Sequence, residues 1–168
     1  MKKKLDTKKL VLISALIAVA MVMSRIEALV PIFDAIIPGY KIGLANVATL
    51  FALYILGWPY AILVSVFRVF LTFLLFPKFE VFLLSLSGAV LALASMILLK
   101  KLNRFSTIGV SVVGAIAHNI GQIIAACLLY GTNVIAINLF FLVIIATITG
   151  VLIGILSGMI IKRLKKYV

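Results

Sequence analysis

Six apolar segments, about residues 9–27, 42–57, 58–77, 80–99, 106–129 and 134–161, occupy most of this chain and leave only short breaks between them. A helix needs about 20 apolar residues to cross the hydrocarbon core of a bilayer. Five segments have that length, and the second is short enough to borrow from its flanks. A soluble domain is about 45–50% apolar and about 25% charged; this one is 65% hydrophobic and 12% charged, with a mean hydropathy of +1.36. One small core could not bury so much apolar surface, whereas lipid-facing side chains need no burial inside the protein. The expected fold is all-α: one polytopic membrane domain over residues 1–168, with six transmembrane helices.

The breaks carry turn chemistry. Gly57-Trp58-Pro59 separates the second and third segments and sets Trp58 at an interface, while Asn103–Ser106 and Gly131-Thr132-Asn133 separate the later ones. The net charge of +12 is distributed by topology. Lys2, Lys3, Lys4, Lys8 and Lys9 precede the first segment. Lys100, Lys101 and Arg104 lie between the fourth and fifth, and Lys162, Arg163, Lys165 and Lys166 close the chain. The opposite loops hold only Lys41 and Lys78. The positive-inside rule then places both termini in the cytoplasm, with an even number of spans. No aromatic residues alternate with the basic ones as a stacking surface would need, so nucleic acid is not an expected partner. The amino end also has the outline of a signal peptide, with Ala18-Val19-Ala20 as a cleavage site. The apolar stretch continues to Met23, however, and cleavage would leave an odd number of spans, so the first helix is expected to be retained. Between Ala28 and Lys41 the loop is apolar, with Pro31, Pro38 and Asp34. It reads either as an interfacial segment or as a lid over an outward-facing cavity.

Function is expected where polar side chains interrupt the spans. Arg68 lies about ten residues from either end of the third segment, roughly 15 Å from each surface, too deep for easy snorkelling. An arginine at mid-membrane costs about 2.5–3.5 kcal/mol on insertion scales, so it should meet a partner or a wet cavity. Ser65 and Thr72 share its face. The structural reading is a bridge to Glu27 or Glu80; the functional reading is contact with an anionic ligand. In the fifth segment Gly114, His118 and Gln122 are four apart on one face, with Asn119 one step round, and Asn46 and Asn138 could reach the same cavity. A single histidine here would ordinarily be bonded within the bundle; three polar side chains within five residues demand more. Gly150, Gly154 and Gly158 make a smooth stripe for helix packing, and Ser14, Ala15 and Ala18 make a looser one.

Absences narrow the chemistry. Asp6, Glu27, Asp34 and Glu80 are the only acidic residues, so no aspartate cluster can hold Mg²⁺ on a diphosphate. There is no phosphate-binding GxxxxGK[ST] and no Ser/His/Asp set. The single Cys127 excludes an intrachain disulfide and a cysteine-based metal site. The chain is not expected to be an enzyme or to carry a cofactor, and ATP-driven work would need a separate ATPase.

In KIGLANVATLFALYILGWP (41–59), FLLSLSGAVLALASMILLKKL (82–102) and GVSVVGAIAHNIGQ (109–122) the chain resembles a bacterial family. It is known as the Gx transporter family, or heptaprenyl diphosphate synthase component I. The resemblance runs over about residues 8–130, with GLAN and AHNIGQ its distinctive blocks. That family is similar in size and topology to the S components of energy-coupling factor (ECF) transporters. These are six-helix proteins that bind a vitamin-like molecule near the outer face and dock on a membrane subunit driven by two ATPases. The resemblance implies a docking groove at Ser14, Ala15 and Ala18 and substrate-side residues Lys41, Asn46, Arg68, His118, Asn119 and Gln122, to which the reading of the spans adds Asn138. It implies as partners a small-molecule substrate, the lipid bilayer and ECF transmembrane and ATPase subunits. An alternative is a non-catalytic membrane partner of a polyprenyl diphosphate or quinone synthesis system.

Overall fold

The computed structural model describes residues 7–29, 41–131 and 139–164. Its elements are all helical: α1 (Thr7–Ala28), α2 (Asn46–Ile55), α3 (Trp58–Leu75), α4 (Phe79–Leu102), α5 (Thr107–Tyr130) and α6 (Leu139–Leu164). Five of them are long and apolar enough to cross a membrane. At 1.5 Å per residue they measure about 27–39 Å against a hydrocarbon core of about 30 Å. Their outer faces carry large exposed apolar side chains, among them Val66, Phe67, Phe70 and Leu74 on α3 and Phe140, Phe141, Ile148 and Leu152 on α6. Water would penalise those faces and acyl chains do not. This is a polytopic helical membrane bundle.

Boundaries follow the local chemistry. Gly57, at φ +102°, turns the chain between α2 and α3, and Pro59 fits the first turn of α3, where no intrahelical N–H bond is lost. Asn103 closes α4 in the left-handed region at φ 52°, and the Ser106 hydroxyl accepts from Gly109 N–H at 3.1 Å to open α5.

The second segment departs from the others. α2 has ten residues, about 15 Å or half a crossing, and it is central, packed chiefly on α3 with α1 and α6 on other sides. Seven of its ten residues are buried, including Leu50 and Leu53. The Lys100 ammonium donates to the Leu53 carbonyl, placing a cation at the carboxyl end of α2, where helix carbonyls lack partners. That end therefore lies level with the basic end of the bundle. Residues 41–45 supply the other half of the crossing as non-helical chain, entering from the opposite end, the loop face.

Glycines set the closest helix approaches. A Cβ on Gly121 would stand 2.6 Å from the Ser87 carbonyl oxygen and 2.9 Å from Gly88 Cα, so α4 and α5 touch backbone to backbone. On the α5–α6 side, a Cβ on Gly150 would lie 2.7 Å from Val112 Cα, and one on Gly154 2.7 Å from Ile108 Cα. Gly158 meets nothing within 4 Å. The stripe continues along α6, but α5 begins at Thr107, so one turn beyond Gly154 there is no facing helix to pack against. Ser14, Ala15 and Ala18 are exposed on α1.

Candidate functional site

Non-helical backbone at membrane depth must find partners inside the protein, because lipid offers none. Two side chains from different helices supply them at Lys41, Gly43 and Leu44. The Glu27 carboxyl, in the last turn of α1, accepts from Gly43 N–H at 2.5 Å and Leu44 N–H at 2.8 Å through Oε1. The Gln122 amide, on α5, accepts from Lys41 N–H at 2.9 Å and donates to the Lys41 carbonyl at 2.7 Å. A primary amide can satisfy both groups of one residue at once, and both bonds here are buried. Glu27 also puts an acidic group beside the start of α2, the favourable end of the helix dipole.

The remaining polar residues of α5 support this arrangement. His118, 1% exposed, packs between Gly43 of the descending segment and Gly88 of α4. A Cβ on Gly88 would lie 2.7 Å from the imidazole Cε1 and Nδ1, so Gly88 makes room for the ring. Asn119 donates to the Leu142 carbonyl of α6 at 2.9 Å. Asn46 sits against Gly43, whose Cβ would come within 2.8 Å of Asn46 Nδ2; at φ +94° that position is itself glycine territory.

Beside these residues, at the loop face, a cavity of about 400 Å³ opens between α1, α3 and α4. Its polar wall holds Ser24, Glu27, Lys41, Arg68, Thr72 and Ser85; Val69, Phe73, Val81 and Phe82 form an apolar wall, and Arg25 and Lys78 also line it. Arg68 is 2% exposed. Its Nη1 donates to Ser24 Oγ at 3.5 Å, the long limit of a hydrogen bond, while Nε and Nη2 have no partner. No ion pair joins Arg68 to Glu27 or Glu80; Glu80 instead accepts from the Tyr130 hydroxyl at 3.2 Å. Glu27 Oε2, Thr72 Oγ1 and Ser85 Oγ are also buried without partners. Half of the ten unpartnered buried side-chain atoms among the described residues thus belong to this one wall. Each such atom costs about 1–3 kcal/mol until something bonds to it.

Of the residues singled out from sequence, Lys41 and Arg68 line the cavity. Asn46, His118, Asn119 and Gln122 do not line it, and His118 and Gln122 hold the segment that carries Lys41. Asn138 and most of the 28–41 loop lie outside the described residues.

A family model described as "Heptaprenyl diphosphate synthase component I" matches residues 16–160. The chain belongs to this family. Comparison with curated proteins and with solved structures finds no match. Among the described residues, no group of three or more His, Cys, Asp or Glu side chains is placed to hold a metal ion.

Sequence reasoning named Glu27 only as a possible bridge to Arg68 and passed over Ser24, Ser85 and the aromatic wall. A local signal existed: Ser24 and Glu27 fall at i and i+3, a polar pair in the last turn of an apolar helix. Gly88 and Gly121 gave no such signal, since they lie 33 residues apart on different helices.

Proposed function

We propose that the chain is the substrate-capturing subunit of an energy-coupling factor-type uptake system for a small vitamin-like or cofactor-precursor molecule. It sits in a bacterial cytoplasmic membrane with both termini inside and the loop face outside. One observation carries the reading: Arg68, buried and with two unpartnered donors, stands at the wall of a cavity of about 400 Å³ beside Lys41. Volumes of about 300–1,000 Å³ with a few convergent polar groups are typical of small-molecule sites. Holding two cations away from water is expensive for a structural element and is repaid by an anionic ligand. Ser14, Ala15 and Ala18, exposed on α1, offer a smooth face to an ECF transmembrane subunit, whose ATPase partners would drive release.

The family's description favours a second reading, a non-catalytic membrane partner of a polyprenyl diphosphate synthesis system. Affinity purification of the full chain from mildly solubilised membranes separates the two. Recovery of a membrane subunit with two ATPases supports uptake. Recovery of a soluble prenyl synthase without ATPases overturns it.

A further inference from the structure

We infer that the cavity takes a small carboxylate carrying a hydrogen-bond donor beside the acid and an apolar body, a 2-hydroxy acid being the simplest form. The inference rests on the cavity being a substrate site and adds what the substrate must be. The unpartnered donors of Arg68 are Nε and Nη2, not an arbitrary pair. Their N–H bonds run parallel along one edge of the guanidinium, the fork that matches the two oxygens of a carboxylate. Nη1, on the other edge, is directed to Ser24.

Charge selects among anions. The most buried charged groups at the wall are Lys41, Arg68 and Glu27, which together leave one positive charge for a monoanion to balance. Arg25 stands 4.1 Å from the centre of the Phe76 ring and, with the exposed Lys78, adds positive field that draws anions in.

Glu27 supplies the second requirement. Its Oε1 is occupied by two backbone N–H groups, whereas Oε2 is buried at the same wall without a partner and is an acceptor. Arg68 and Glu27 do not pair with each other, so a ligand presenting an acid to one and a donor to the other completes both. Phe73, Val81, Phe82 and Val69 face the remaining volume and take an apolar body.

The test is thermal melting and equilibrium binding of the purified full chain with matched probes: 3-phenylpropionate, 3-phenyllactate, 3-phenylpyruvate, 3-phenylpropanol and phenyl phosphate. Phenyllactate is expected to bind about tenfold or more tighter than phenylpropionate, the range of one hydrogen bond to a charged acceptor. Phenylpropanol, which lacks the acid, should not bind. In Glu27→Gln the amide oxygen can still accept from Gly43 and Leu44, but the free end becomes a donor. Phenylpyruvate, which can only accept, should therefore gain on phenyllactate relative to the wild type. Arg68→Lys keeps the charge and loses the fork, and should weaken every carboxylate about tenfold. Equal binding of phenylpropionate and phenyllactate, unchanged by Glu27→Gln, overturns the donor requirement while leaving an anion site. Phenyl phosphate binding tightest replaces the carboxylate by a phosphoester. No response to any acid removes the proposed substrate class, independently of which subunits co-purify.

Discussion

Replacing Gln122 by alanine removes the one side chain that satisfies both backbone groups of Lys41. The two bonds measure 2.9 and 2.7 Å, are buried, and join residues 81 apart in sequence. Each group left unpaired costs about 1–3 kcal/mol, so the pair is worth about 2–6 kcal/mol if nothing replaces it. With some relaxation of the surrounding chain the expected loss is at the lower end, about 2–3 kcal/mol. Such a loss is a large fraction of a typical folding stability of about 5–15 kcal/mol. Two assays check it on the purified protein. Melting should shift down clearly, and the Lys41 amide should exchange with deuterium far faster than amides of α4 and α5. Gln122→Glu should do nearly as much damage, because a carboxylate accepts from Lys41 N–H but cannot donate to its carbonyl. Wild-type melting and wild-type protection at Lys41 in the alanine variant would refute the view that side chains stand in for the missing half of the second crossing.

Three further outcomes are expected. Gly154→Leu should lower the melting temperature or prevent accumulation, because even a Cβ there lies 2.7 Å from Ile108 Cα, whereas Gly158→Leu should be tolerated; equal effects would place the stripe elsewhere. Lys41→Met should weaken anion binding, because it removes one of the two buried cations at the cavity wall; unchanged binding would count against Lys41. Cysteine labelling from outside the cell should reach Lys78→Cys and spare Lys101→Cys, and the reverse pattern would invert the topology.

The fold was legible because its signals are local. Apolar length and basic residues at one end specify helices and their alternation, and Gly57-Trp58-Pro59, Asn103–Ser106 and Gly131 fall at helix ends in the structure. The shortness of the second segment was also legible, though not what completes it. A backbone satisfied by Glu27 and Gln122 depends on pairings 16 to 81 residues apart that leave no periodic trace. Arg68 could be picked out by cost alone, since a charge at mid-membrane needs a reason. Its surroundings could not, because Ser24 and Ser85 are ordinary residues in membrane helices until three helices converge on them. The polar run His118, Asn119 and Gln122 shows the same limit from the other side. Its types demanded partners, and in the structure those of Asn119 and Gln122 are backbone carbonyls and an N–H.

The central claim is that Arg68 anchors an anionic small molecule in the loop-face cavity. Native mass spectrometry of wild-type protein and Arg68→Gln, purified in parallel from the same membranes, tests it most directly. The variant keeps most of the side-chain volume and relieves a buried charge, so it should melt no lower than wild type. The account predicts a small-molecule adduct on the wild type and its loss from the variant. The same adduct on both proteins, or none on either, would contradict it.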